Sequence, residues 1–137
     1  MIHRQVIGIE HKMPDKLYRV ALGVRLKVLN QSKKNKSQQQ LAVAGNCEPL
    51  RERLVAGNCG IATGIIQDAL QEMGWAGGHR CCGDVKTCQW GWMGHCWLEW
   101  RNFVLDVTAD QFNTYCRIIK FRPIVFCHKS KLEDIYN

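Results

Sequence analysis

Apolar residues recur along this chain with two different periods. From Asp15, which follows Pro14 and suits a helix N-cap, Leu17, Val20, Ala21, Val24 and Val28 return at helical spacing. The spacing predicts an amphipathic helix with Arg19, Arg25 and Lys27 turned to solvent. A second stripe is stronger. Ile61, Ala62, Ile65, Ile66, Ala69, Leu70 and Met73 share one side, Gln67, Asp68, Gln71 and Glu72 the other, and Gly74 suits the C-terminal cap. Asn58 stands where an N-cap belongs, with Cys59 the first helical residue. This predicts a central packed helix.

Alternation takes over in 95–100 and 103–108, two strands separated by Arg101-Asn102, and Asn tolerates the positive φ of a two-residue turn. That turn sets Trp100 opposite Phe103, Leu98 opposite Leu105 and Cys96 opposite Val107. These six side chains are apolar or thiol and predict the core face. The other face carries His95, Trp97, Glu99, Val104, Asp106 and Thr108, with Trp97 opposite Asp106 and His95 diagonal to it. A one-residue slip would bury the polar set, so the pattern specifies the register. A histidine and an aspartate are delivered side by side on a face expected to lie away from the core.

The rest is less patterned. Residues 5–9 form a short apolar run, a strand or an arm, and the polar tract 30–40 (NQSKKNKSQQQ) predicts a flexible connection. Val43-Ala44-Gly45-Asn46-Cys47 returns as Val55-Ala56-Gly57-Asn58-Cys59, each copy a helix-start signal, the first opening only a short polar helix. Residues 75–93, rich in Gly, Cys and Trp, predict a strand plus an irregular loop. Residues 115–119 and 124–127 read as strands interrupted by Pro123.

Composition narrows the class. At 137 residues and 46% hydrophobic the chain can build one ordinary core. No stretch approaches the roughly 20 apolar residues of a membrane helix, and residues 1–10 lack the plan of a signal peptide, so a cytoplasmic protein without membrane association is expected. Residues 1–40 hold nine Lys or Arg against Glu10 and Asp15, which accounts for the whole net charge of +7. We therefore expect a basic N-terminal arm over 1–40, made of the amphipathic helix and the polar linker, followed by a single α+β domain over 41–137. Such an arm would draw an acidic partner.

The eight cysteines, in a compartment expected to be reducing, point to buried, metal-bound or catalytic thiols before a disulfide scaffold. Cys96, Cys116 and Cys127 read as buried strand thiols, and Cys81-Cys82 with Cys88 as a disulfide or redox group. Cys59 differs. It opens the strongest helix, where unpaired N–H groups and the helix dipole favour a thiolate, and Gly60 leaves room for a substrate. Cys, His and Asp in this order are the parts of a nucleophile, its base and the group that orients the base.

These residues resemble the transglutaminase-like branch of the papain-like cysteine enzymes. The resemblance rests on Asn58-Cys59-Gly60, on Gly94-His95-Cys96-Trp97-Leu98-Glu99-Trp100, and on residues 102–112 (NFVLDVTADQF), and it covers about 45–115. It implies an α+β fold, in which a central helix carrying the cysteine packs on an antiparallel sheet. It also implies Cys59 as nucleophile, His95 as base and Asp106 as orienting acid. Asn58, Gly60 and Trp97 would line the substrate, and Asp110 and Gln111 brace the site, while Cys47 is a second candidate nucleophile. The implied chemistry is acyl transfer on a protein or peptide amide, as protease, deamidase or transglutaminase, without cofactor or metal.

Two other readings stand beside it. His79, Cys81, Cys82, Cys88, His95 and Cys96 could ligate zinc, although no C-x-x-C pair occurs among them. A non-catalytic interaction module could use Trp90, Trp92, Trp97 and Trp100 with the basic arm. Nucleic acid is not expected, because no RNP-like or OB-like pattern accompanies the aromatics.

Overall fold

The two periods become two helices and a five-stranded sheet in the computed structural model, which describes residues 5–10, 12–35, 58–87, 91–115 and 118–137. In chain order the elements are β1 (Gln5–Ile9), α1 (Asp15–Asn35), α2 (Cys59–Glu72), β2 (Gly78–Thr87), β3 (Gly91–Trp100), β4 (Phe103–Asp106), a 3-10 helix over Ala109–Tyr115, β5 (Ile119–His128) and a 3-10 turn over Lys129–Lys131. The sheet order is β1-β5-β4-β3-β2. This is an α+β fold, but the sheet is mixed where an antiparallel one was expected. The apolar run at 5–9 lies parallel to β5, while β2 through β5 form an antiparallel meander.

The stripe of α2 packs as its spacing predicts. Ala62, Ile66 and Leu70 are buried against Leu98, Trp100, Leu105 and Phe126, and Leu17, Ala21, Val24 and Val28 of α1 close the same cluster. Each fully buried Leu or Ile contributes about 1.5–3 kcal/mol, and truncating one such as Leu98 to Ala costs about 2–5 kcal/mol. Gly74 ends α2 with a φ of 74°, the left-handed conformation that glycine adopts without penalty. Ile61, assigned to the stripe, instead stands 61% exposed beside the helix start.

Nor does α1 behave as an arm. It joins the core through its apolar stripe, and β1 before it joins the sheet. Arg25, expected in solvent, is only 3% exposed. Its Nη2 donates to Asp110 Oδ2 at 2.6 Å and its Nη1 to the Val107 carbonyl at 2.9 Å. The helix also runs into the tract expected to be a linker, as far as Asn35. The first VAGNC copy and Cys47 lie outside the described residues, as do Cys88, Trp90 and Cys116.

The β3–β4 hairpin has the predicted turn. Arg101 and Asn102 both take positive φ, 50° and 67°, and Leu98 pairs Leu105, Glu99 pairs Val104 and Trp100 pairs Phe103. The ladder then stops. Asp106 still pairs with Val125 of β5 but no longer with β3, and the chain then turns into the 3-10 helix, so the expected pairs of Cys96 with Val107 and Trp97 with Asp106 do not form. The 3-10 helix also replaces the start of the strand expected at 115–119. Farther on, β5 continues through Pro123, whose missing N–H falls where the pairing with β1 slips between Ile7–Phe121 and Ile9–Phe126.

The face expected away from the core is also covered. The chain after β5 crosses the back of the sheet and ends beside β2, where Lys86 N–H donates to Ile135 O at 2.8 Å and Asn137 N–H to Asp84 O at 2.8 Å. Leu132, Ile135 and Tyr136 pack there with Trp97, Val104, Val125 and Phe121 as a second buried cluster.

Candidate active site

Asp106 is the last residue of β4, and every part of its carboxylate is engaged. Oδ1 accepts from the Thr108 N–H at 2.9 Å, a local turn set by the bend after the strand. Oδ2 accepts from the Tyr136 hydroxyl at 2.9 Å and lies 2.6 Å from His95 Nε2. The side chains of His95 and Asp106 are 0% and 1% exposed, so this pair belongs to the interior. Exposed ion pairs contribute little, whereas a pair this deep is strongly coupled to its neighbours.

Burial alone would raise the carboxyl of Asp106, yet the facing His95 and the bonds from Thr108 and Tyr136 hold it below the usual carboxylate range. For His95, burial works against the charged ring, and the charge and hydrogen bond of Asp106 overcome it. With a further contribution from Cys59 they lift the imidazole to about 9.

The third member stands at the start of α2. Because β4 pairs with β3 only from Leu98 onward, His95 lies where the sheet opens, and there its ring stands close enough to Cys59 for the two to shift each other. Interaction with the ring lowers the Cys59 thiol against the opposing effect of burial, and the Cys96 backbone adds to it. Thr63 locks the first turn through its hydroxyl, which donates to the Cys59 carbonyl at 2.6 Å. Other thiols move the opposite way: burial first, with acidic or thiol neighbours, pushes Cys81 to about 11 and Cys96 and Cys127 to about 12. A lowered thiol beside an imidazole is the pairing that nucleophilic cysteine chemistry uses.

The remaining expected site residues divide. A side chain at Gly60 would meet open space among the described residues, which fits room for a ligand. Asn58 occupies the helix start and its carbonyl accepts the Ala62 N–H at 2.9 Å, but its side chain does not close the cap. Trp97 is buried behind the imidazole, its ring centroid 6.2 Å from that of His95 and 5.0 Å from that of Tyr136. It packs against the imidazole from the core side. Gln111 brings its amide within 3.4 Å of His95 Nδ1, whereas Asp110 is committed to Arg25.

Thr108 and Tyr136 as carboxylate donors were missed. An aspartate two residues before a threonine signals the first, and Leu132, Ile135 and Tyr136 at apolar i, i+3, i+4 spacing hint at the buried stretch that delivers the second.

Among the described residues the expected zinc ligands do not converge as a set, and Cys88 lies outside them. Strand alternation sends Cys82 and Cys96 to the α2 face, and His95 is held by Asp106. On the opposite face His79 and Cys81 meet Glu99, their ligand atoms within 4.8 Å of one another, but Lys129 Nζ already holds Glu99 at 3.2 Å. Of the tryptophans expected on an interaction surface, Trp97 and Trp100 are core and Trp92 is 47% exposed. No protein-family model, curated protein or solved structure matches this chain.

Proposed function

We propose that this protein is a cysteine acyl-transfer enzyme of the transglutaminase-like kind, acting on a protein or peptide amide. The observation that carries the reading is the buried chain from Tyr136 and Thr108 through Asp106 to His95, with the half-buried Cys59 beside the ring and its thiol lowered by it. A surface ion pair would not need its carboxylate so fully engaged.

In the reaction, the Cys59 thiolate attacks the amide carbonyl and the imidazolium of His95 protonates the departing amine, leaving a thioester. Asp106 holds the ring through Nε2 and stabilises its charge, as an orienting acid does. The Cys59 N–H, at the first turn of α2, is a donor for the oxyanion. Water as second nucleophile gives hydrolysis or deamidation, and an amine gives cross-linking. Exposed Ile61 and the open space at Gly60 offer the surface on which the acyl chain rests.

Two measurements test this. Alkylation of Cys59 by iodoacetamide, followed by peptide mass spectrometry, should titrate well below about 8.5 and lose that advantage in His95→Ala. Incorporation of a fluorescent primary amine into dimethylcasein, alongside ammonia release from a glutamine peptide, should depend on Cys59. A Cys59 that alkylates no faster at pH 7 than Cys82 overturns the reading.

A further inference from the structure

Behind the nucleophile, two more thiols lie on the α2 face of the sheet. Cys82 and Cys96 are direct partners in the β2–β3 ladder, so their side chains share a face. Antiparallel partners have Cα atoms about 4.5–5.5 Å apart, inside the span of roughly 4.4–6.8 Å that a disulfide needs. The Cys96 thiol lies close enough to both Cys82 and Cys59 for each of them to raise it. All three are reduced, and they run from half-buried Cys59 to exposed Cys82 on the last strand of the sheet. Cys81, though adjacent in sequence, faces the other way toward Glu99 and takes no part.

We propose that Cys59, Cys96 and Cys82 form a disulfide relay, through which oxidation of Cys59 by a hydroperoxide ends as a Cys82–Cys96 cross-strand disulfide with the Cys59 thiol restored. The relay rests on the reading of Cys59 as a thiolate. In the first step the Cys59 sulfur attacks the peroxide, the O–O bond breaks and an S–O bond forms. The alkoxide or hydroxide released takes the proton of His95, and sulfur supplies the two electrons. In the second step the Cys96 thiol displaces water from the Cys59 sulfenic acid, giving a Cys59–Cys96 disulfide. In the third, the Cys82 thiol attacks the Cys96 sulfur, and Cys59 leaves as thiol.

Burial and Cys82 keep Cys96 protonated, and the charge on Cys59 adds to this. Once that sulfur is a neutral sulfenic acid, its charge no longer opposes ionisation of Cys96, although burial and Cys82 still do. Without a resolving thiol, sulfenic acid proceeds to sulfinic acid, which ordinary thiols do not reduce. The relay thus moves the oxidised state from a half-buried nucleophile to an exposed strand pair that a dithiol can reach.

The test treats the full chain with one to five equivalents of hydrogen peroxide, followed by alkylation and non-reducing peptide mapping of all eight cysteines. Wild type should yield the Cys82–Cys96 bond with Cys59 still alkylatable. Cys82→Ser, an exposed and conservative change, should trap Cys59–Cys96, and Cys96→Ser should accumulate dimedone-reactive Cys59. In Cys59→Ser the Cys82–Cys96 bond should form at least tenfold more slowly. Formation at an unchanged rate in Cys59→Ser, or a Cys59 disulfide to any thiol other than Cys96, overturns the relay. Iodoacetamide reactivity of Cys59 against pH, in the untreated Cys82→Ser protein, separates the two readings. A low apparent pKa without the disulfides leaves acyl transfer standing and sinks the relay alone, whereas an ordinary pKa sinks both.

Discussion

Replacing Arg25 by Met keeps most of the side-chain volume and removes the guanidinium. Arg25 and Asp110 side chains are 4% and 5% exposed, so the carboxylate would be left in the interior without its counter-charge. Removing one partner of a buried pair costs about 3–5 kcal/mol, and the Val107 carbonyl loses its donor as well. Against a total stability of about 5–15 kcal/mol for a domain, that is a fifth or more. With a shift of roughly 3–5 °C per kcal/mol at this size, Tm should fall by about 10–20 °C in calorimetry, with a matching drop in urea midpoint. Arg19→Met, on the exposed side of α1, should change stability by no more than about 0.5 kcal/mol. The double variant Arg25→Met/Asp110→Leu should recover most of the loss, because no uncompensated charge remains. If Arg25→Met costs under about 1 kcal/mol, or the double variant is as unstable as the single, the buried pair does not hold the 107–110 segment as the structure implies. The segment matters to the site, since Thr108 within it donates to Asp106.

Three further outcomes are expected. Asp106→Asn removes the charge that holds the imidazole near 9, so the thiolate loses its partner and alkylation of Cys59 at pH 7 should slow at least tenfold; an unchanged pH profile would falsify the coupling. In Cys59→Ser, where the opposite titration of the thiol is gone, Asp106 still raises the folded pKa of His95, which contributes stability that is complete below about pH 6.5 and lost as pH rises through that folded value, lower than in wild type because the Cys59 contribution is gone. Urea midpoints should decline across that window and stay flat in Cys59→Ser/His95→Asn. Gly83→Ala drives a methyl into the Asn137 carbonyl and to 2.9 Å from the Trp97 ring, and should cost about 1–3 kcal/mol by urea titration. Gly64→Ala, where a methyl meets open space on α2, should instead stabilise by about 0.5–1 kcal/mol.

What could be read from the sequence was what local spacing encodes. The α2 stripe, its Gly74 stop and the β3–β4 turn follow from periods of 3.6 and 2 and from the positive φ that Asn accepts, and they were enough to bring His95 beside Asp106. Contacts between distant segments were harder to see. Arg25 sits on the same helical stripe as Leu17, Ala21 and Val28, but charge suggested solvent, and only Asp110, 85 residues away, explains its burial. Likewise a face lined by His, Glu and Asp reads as exposed until the stretch after β5 is known to cross it. Parallel pairing of β1 left no local signal, because its partner lies at the other end of the chain.

That crossing also sets a clock. The donor that completes the Asp106 carboxylate, Tyr136, follows it by 30 residues. At translation rates of roughly 5–20 residues per second the ribosome needs about 1.5–6 s to supply them. During that interval the nascent chain already contains Cys59, His95 and Asp106, yet lacks the stretch that covers the carboxylate. β1 must wait as well, since its partner β5 begins at Ile119. The buried set around His95 and Asp106 is therefore completed only after every strand of the described sheet has been synthesised, when the stretch carrying Tyr136 crosses its face.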